Sequence, residues 1–327
     1  MTVLDNQAGS MPSTSLCTTY SRGSGLLVHG HGGQRLDSID PGWSIAQLAH
    51  AGYLVFRGFQ ADLTSFSELV VRHSARVTLD PARSFHAGKV AQKVDAGHDA
   101  MGLHLENGNS PFSPDLVWFL CDQAPRQGSQ TTVCDGLEVW RQASTRARDS
   151  FGSREIVYER RVEEAKWKTF VFYHLGANKP HQDITIEDLR GLTNNEASMT
   201  VRELPDSSII YSFRTMAAHA TRFGPELAWA NSIFGPSYNY EAPRITFADG
   251  EEIPLALLEE MRELSERFTV NLDWQTGDIA LIDNTRVMHG RRAIEDPERR
   301  IFNALSYVAP DLVPQVAAAK GGVQVAR

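Results

Sequence analysis

Cysteine is scarce in this 327-residue chain: only Cys17, Cys121 and Cys134 occur. Three scattered thiols supply neither a disulfide framework nor a cysteine-rich zinc site. Cys121 and Cys134 stand in apolar, strand-like surroundings and are expected to be core thiols. Long apolar runs are missing as well. No stretch approaches ~18 consecutive apolar residues, so no membrane-spanning helix is expected. The N-terminal segment lacks a basic start followed by an apolar block, so no secretory signal is expected and the cytoplasm is the expected compartment. There is no basic excess: 32 Lys+Arg stand against 40 Asp+Glu, a net charge of −8. Nucleic acid and anionic membrane both reward a basic patch, so neither is expected as a partner. What remains is a soluble globular composition, long enough to bury a large core.

Residues 1 to about 38 are rich in Ser, Thr and Gly and read as an irregular N-terminal arm. Order is expected from Pro41, with an amphipathic helix to near Gly52, a buried strand over Tyr53–Phe59, and a second helix capped by Thr64. From about 101 the texture changes to short strands between turn residues. Leu116–Cys121 and Thr131–Cys134 lead this set, followed by a short helix over Leu137–Ala143. Further strands are expected at Ile156–Arg161, Thr169–Tyr173, Met199–Glu203, Ile209–Phe213, Phe268–Leu272, Ile279–Asp283 and Ile301–Val308. A helix over Pro254–Arg267 carries Leu257, Leu258, Met261 and Leu264 on one face. The fold class is therefore mainly β with helical additions, a sandwich or barrel. One domain over 39–312 is expected, with a long insertion between about 135 and 270 and a frayed tail over 313–327.

Two stretches carry chemistry. In Gly102-Leu103-His104-Leu105-Glu106-Asn107, His104 and Glu106 stand at i and i+2, which a strand turns to one face. Together they have the spacing to hold a metal ion. The second stretch runs Gly277-Asp278 through Asp283-Asn284-Thr285-Arg286-Val287-Met288-His289-Gly290-Arg291, with Arg300 eleven residues after His289 at the start of an apolar strand. An arginine entering a core strand requires a carboxylate, and a bound anionic ligand can supply it. Taken singly, each residue has a plainer reading. His289 alone reads as a hydrogen-bonded core histidine, and Arg300 as a structural ion-pair residue for which Arg291, Arg292 or Arg299 could substitute.

Together these stretches resemble the Fe(II)/2-oxoglutarate-dependent dioxygenases of the taurine dioxygenase (TauD/TfdA) family. The likeness extends to Ala51-Gly52-Tyr53-Leu54-Val55-Phe56-Arg57-Gly58-Phe59 and to Gly128-Ser129-Gln130-Thr131, and spans roughly residues 40 to 310. Glu106, where Asp is commoner, is more like the clavaminate synthase branch. The resemblance implies a double-stranded β-helix (jelly-roll, cupin-like) core. It implies Fe(II) held by His104, Glu106 and His289, and 2-oxoglutarate gripped by Arg300 and Thr131, with Thr131 preferred over its neighbour Thr132. With O2, it implies oxidative decarboxylation to succinate and CO2 coupled to C–H oxidation of a small-molecule substrate. Halogenating relatives have Gly or Ala in place of the carboxylate ligand, so Glu106 favours hydroxylation; desaturation, epoxidation and cyclisation share the same ligands. An amino acid or natural-product intermediate is the expected substrate. Asn107, Arg214 and Phe234 are candidate contacts, with Trp229, Tyr238 and Tyr240 as further aromatic ones. Homo-oligomerisation is left open.

Rival classes lack their signatures. No His-Glu-x-x-His marks a zinc hydrolase, and no G-x-S-x-G elbow accompanies the glycine run at 29–33. A catalytically silent metal-binding or ligand-sensing jelly roll remains the non-enzymatic alternative.

Overall fold

The computed structural model describes residues 16–313 apart from 79–84, 87–89, 95–96, 176–177, 194–196 and 237–240. The expected tail lies outside these residues beyond Val313. Two sheets sharing one buried layer frame the molecule. The larger, nine-stranded sheet runs β1 (Leu16–Thr19), β2 (Leu26–His29), β3 (Tyr53–Arg57), β17 (Ile279–Asp283), β8 (Leu116–Gln123), β19 (Arg300–Val308), β6 (Ala91–Lys93), β5 (Phe85–His86), with β4 (Ser74–Thr78) also on β19. The smaller runs β16 (Thr269–Leu272), β9 (Thr131–Asp135), β18 (Val287–Arg291), β7 (Met101–His104). Among the described ladders only β2–β3 is parallel.

Strand alternation decides what meets between the sheets. Phe119, Cys121, Ile301 and Leu305 of the larger sheet share a buried layer with Val133, Val287 and Leu272 of the smaller. The next residues along, Trp118, Leu120, Phe302 and Ala304, face the other way and pack with α1 (Pro41–Ala51) and α2 (Leu63–Arg72). Both faces of the central strands are therefore apolar, which is why their sequences read as unbroken hydrophobic runs.

Helix α1 starts where expected. The Asp40 side chain accepts from the Trp43 N–H (2.7 Å), Pro41 occupies the first turn, and Gly52 ends it at φ +78°. Helix α2 departs from expectation. Its cap is Asp62, in a reciprocal box with Ser65, rather than Thr64.

Two larger corrections concern regions of weak or misleading pattern. The arm expected to be irregular forms β1 and β2 over residues 16–29, because Val28 finds a fully buried place beside the open flank of β3. Residues 1–15 lie outside the described residues. The run Thr169–Tyr173, β-branched and aromatic enough to read as a strand, lies instead inside a helix, Glu164–His174. Its buried residues are Trp167 and Val171, one turn apart, and Lys168 pairs with Glu164 at i, i−4.

That helix belongs to the segment between β9 and β16, which carries a separate four-stranded sheet: β11 (Met199–Glu203), β12 (Ile209–Met216), β10 (Glu155–Val162), β15 (Arg244–Phe247). Its helices are α3 (Gly136–Gln142), α4 (Thr145–Ser153), α5 (Glu164–His174), α6 (Ile186–Thr193) and α7 (Leu255–Arg267). Buried residues of α3, α4 and α7 cover the outer face of the smaller sheet.

Candidate metal centre

His104 ends β7 and His289 sits in the middle of β18, and the two are direct cross-strand partners. Their rings lie 4.5 Å apart between centroids. Glu106 follows two residues later, beyond the end of β7, and its Oε2 lies 3.3 Å from His289 Nε2. One ligand atom from each of His104, Glu106 and His289 falls within 4.8 Å of the others. The three residues expected to share an ion thus converge, although an extended strand is not what aligns His104 with Glu106.

Neighbouring groups orient these donors. His104 Nδ1 lies 2.8 Å from the Gly102 carbonyl, so Nδ1 carries the proton and Nε2 is the basic nitrogen. Strand β7 is overlaid by the segment 231–235. Leu105 N–H donates to the Asn231 carbonyl (3.2 Å), and Ser232 Oγ donates to the Leu105 carbonyl (3.0 Å). A Cβ at Gly102 would sit 2.0 Å from the Phe234 carbonyl oxygen, so only glycine permits this crossing. The Phe119 ring covers His289 at 5.5 Å.

A cluster of polar and cationic side chains continues from the triad along β18 and β9. His289 and Arg291 share one face of β18, the face that carries Val287 into the layer between the sheets. Thr131, opposite Arg291 in register, shares the inward face of β9 with Val133, while Thr132 turns the other way. The Thr131 hydroxyl accepts from Trp274 Nε1–H (3.0 Å) and is left with its own proton to donate.

Arg300 does not join this cluster. Its side chain points outward, half exposed, donating from Nε to Asp122 (2.6 Å) and bonded to Gln123. Arg299 takes the inward position instead. It is 6% exposed, donates from Nη1 to the Ser129 carbonyl (2.8 Å), and its Nε has no partner among the described residues. Burial, then the nearby Arg291 guanidinium, lowers the Arg299 pKa to about 10. Arg291 donates to the carbonyls of Gly97 (3.1 Å) and Asp99 (2.7 Å). Two buried guanidinium groups this near one another favour an anion beside them.

The expected substrate residues scatter. Asn107 sits at φ +54° in the turn after Glu106. Arg214 projects into solvent from β12 beside Glu155 (3.7 Å). Phe234 packs behind the smaller sheet with its ring 4.9 Å from the Arg262 guanidinium. Trp229 is fully buried against Phe151 (4.8 Å), and Tyr238 and Tyr240 lie outside the described residues.

Residues 28–305 match the family described as taurine catabolism dioxygenase TauD, TfdA family. The chain belongs to this family. Within it, the chain is 25% identical over 277 residues to the dapdiamide synthesis protein DdaC of Enterobacter agglomerans, covering 79% of this chain and 83% of that one. Among solved structures, PvcB of Pseudomonas aeruginosa superimposes with a TM-score of 0.59 at 13% identity, covering 94% of this chain and 96% of its own. A taurine dioxygenase from Burkholderia xenovorans gives 0.59 at 14% identity, with 91% and 92% covered.

The protein is therefore a TauD/TfdA dioxygenase with a jelly-roll-type core whose mixed sheets do not close into a barrel. Sequence reasoning missed what holds the cluster together. Ser129, at φ +59° and fully buried, presents its carbonyl to Arg299 while its hydroxyl accepts from the N–H groups of Glu295 (2.8 Å) and Asp296 (3.1 Å). The Gly128-Ser129 turn beside Thr131 was the available signal.

Proposed function

We propose that this TauD/TfdA protein holds Fe(II) through His104, Glu106 and His289, binds 2-oxoglutarate beside it through Arg299 and Thr131, and hydroxylates a small polar substrate, an amino acid or a natural-product biosynthetic intermediate. The observation that carries the reading is the convergence of two imidazoles and one carboxylate within 4.8 Å, with the buried Arg291 two residues beyond His289 on the same strand and Arg299 near it. This donor set fits the group: it is the facial triad of non-haem Fe(II) oxygenases, with coordination positions left open for other ligands. When bound, iron and 2-oxoglutarate supply the oxidising chemistry, coupling decarboxylation to succinate and CO2 with cleavage of a substrate C–H bond.

The chain's own residues bind, orient and exclude water. The Gly102 carbonyl fixes the tautomer of His104, and the apolar layer around Phe119 keeps the His289 side of the site dry. Arg299 is held by Ser129 with Nε still to donate, and Thr131 is held by Trp274 with its O–H still to donate. Both groups suit a carboxylate, which takes a two-pronged grip from a guanidinium. Retention of Glu106 supports hydroxylation. A substrate from natural-product biosynthesis is supported by DdaC, named for dapdiamide synthesis.

Anaerobic titration of the metal-free protein with Fe(II) and then 2-oxoglutarate tests this reading. A weak visible charge-transfer band is expected only after both additions and not in His104→Ala, followed by succinate release when amino-acid-like substrates are screened in air. No band together with no Fe(II) binding overturns the oxygenase assignment in favour of a silent, ligand-sensing jelly roll.

A further inference from the structure

Glu106 belongs to no strand. After β7 the chain turns away at residues 106–109, runs to Pro114 and re-enters the larger sheet at β8. One side chain closes the neck of this loop from a distant part of the sequence. Asn284, just past the end of β17, is fully buried. Its Oδ1 accepts from the Glu106 N–H (2.9 Å), and its Nδ2 donates to the Glu106 carbonyl (3.1 Å), Ser113 Oγ (3.0 Å) and the Pro114 carbonyl (2.9 Å). Ser113 Oγ in turn donates to the Glu106 carbonyl (3.0 Å). The peptide groups of Glu106 are therefore paired to a side-chain amide much as a strand residue is paired to its neighbour.

The tip of the loop has different attachments. Tyr211 of β12 donates to the Asn109 carbonyl (3.4 Å), and the Phe112 ring lies against Phe170 (5.3 Å) and His174 (5.0 Å) of α5. Tyr307 of β19 also donates to the Phe112 carbonyl (3.1 Å), so the tip is shared between the inserted segment and the larger sheet, while the neck is held by the residue that follows β17. Without a fixed neck, a displacement of the tip would pass along residues 107–112 to the Glu106 carboxylate.

We propose that Asn284 is a positioning residue for the metal centre, locking the Glu106 peptide so that the carboxylate meets the imidazoles of His104 and His289 whatever the loop tip does. This rests on the reading of those three residues as metal ligands. The hydrogen bonds of Asn284 go to the backbone of Glu106 and to Ser113 and Pro114, so it acts through the backbone of Glu106. No other residue type serves as well at this place. An aspartate would turn an oxygen toward the two carbonyl oxygens of Glu106 and Pro114, and an apolar side chain would leave the N–H and carbonyl of Glu106 buried without this partner.

The test uses the full-length, metal-free chain. Mn(II) affinity is read from the electron paramagnetic resonance of free Mn(II), alongside thermal melting of the same samples. Asn284→Ala is expected to weaken Mn(II) binding about 10- to 100-fold, the usual effect of removing a group that orients a metal ligand. Ser113→Ala, which removes only the hydroxyl bridging Nδ2 and the Glu106 carbonyl, is expected to weaken it up to about 10-fold and carries the test if Asn284→Ala does not fold. Leu48→Ala, in the helix layer on the far face of the larger sheet, is the control. It should melt at a lower temperature and bind Mn(II) as wild type does. Wild-type affinity in both Asn284→Ala and Ser113→Ala overturns the proposal, as does an equal loss of affinity in Leu48→Ala. Failure of the wild-type protein itself to bind Mn(II), indistinguishable from His104→Ala, instead removes the metal reading on which the proposal stands.

Discussion

Replacing Arg299 by leucine separates two effects that usually move together, because this guanidinium is costly to the ligand-free fold and, on the proposed reading, grips the 2-oxoglutarate carboxylate. In the ligand-free protein it is buried beside Arg291, and both burial and like charge hold its pKa down near 10. Its one described hydrogen bond is to the Ser129 carbonyl. Deleting the side chain gives up that bond, about 1 kcal/mol, and relieves a larger desolvation and repulsion penalty. The melting temperature of the ligand-free protein should therefore stay level or rise. Binding of 2-oxoglutarate should move the other way. A hydrogen bond to a charged group contributes about 1.5–3 kcal/mol, so affinity should fall roughly 10- to 150-fold. Arg300→Leu is the companion variant. Its half-exposed pair with Asp122 is worth at most about 1 kcal/mol of stability, and 2-oxoglutarate affinity should not change. Calorimetric titration of Mn(II)-loaded protein with 2-oxoglutarate, in the absence of oxygen, measures both. A loss of affinity in Arg300→Leu with none in Arg299→Leu would refute the inward assignment and return the anion grip to Arg300.

His73 should make stability sensitive to acid. Burial lowers its pKa to about 4, with Nδ1–H donated to the Leu69 carbonyl and Nε2 accepting from the Ser44 hydroxyl. The unfolded chain takes up this proton near 6.5 and the folded one near 4, so stability present above pH 6.5 is lost as pH falls toward 4, by about 3 kcal/mol. Asp283, raised to about 7 by burial, has the opposite slope, so the readout is the difference between wild type and His73→Gln in urea at each pH. A difference that does not vary with pH contradicts the assignment. Arg286→Met strands the buried Asp135, to which Arg286 donates at 2.9 and 2.6 Å, and should cost about 3–5 kcal/mol in chemical denaturation. A loss under about 1 kcal/mol would mean that Asp135 is satisfied without it. Gly102→Ala drives a methyl into the Phe234 carbonyl and should weaken Mn(II) binding at His104 as well as stability; unchanged binding would show that the crossing segment does not support the ligand strand.

Much of this architecture was legible because burial leaves a direct trace in composition. Met199–Glu203 and Ile279–Asp283 are strands over the expected bounds, and β8, β9, β10, β12 and α7 differ from expectation only at their ends. The same burial erased other information. On β19 both faces are apolar, so alternation in the sequence does not say whether Arg300 or the preceding Arg299 turns inward, and spacing from His289 pointed to Arg300, whose side chain lies outward beside Asp122. Helix α5 was hidden by Thr169, Phe170, Val171, Phe172 and Tyr173, whose strand preference is overridden by packing of Trp167 and Val171. Strand β1 carries little hydrophobic signal and is largely exposed, and β2 is a run of only three apolar residues beside glycines, so order there comes from pairing. His104 and Glu106 were found as a pair, but the partner that holds Glu106 is Asn284, far along the chain, and no local pattern links the two.

The strand that presents the first histidine is four residues long and forms the rim of the smaller sheet, and its ladder to β18 loses register just after His289. Rims this short fray readily, because few amides share the burden of opening. An ion gripping both His104 and His289 would act on this rim as a removable cross-link between the ends of a long excursion of chain. The amide hydrogens of Met101–His104 should then exchange with deuterated solvent at a rate set by metal occupancy, fast after chelation and slow on reloading. Those of Ile279–Asp283, hydrogen-bonded on both sides within the larger sheet, should be indifferent. Order at the rim thus becomes a local gauge of loading, readable without turnover and without knowing the substrate.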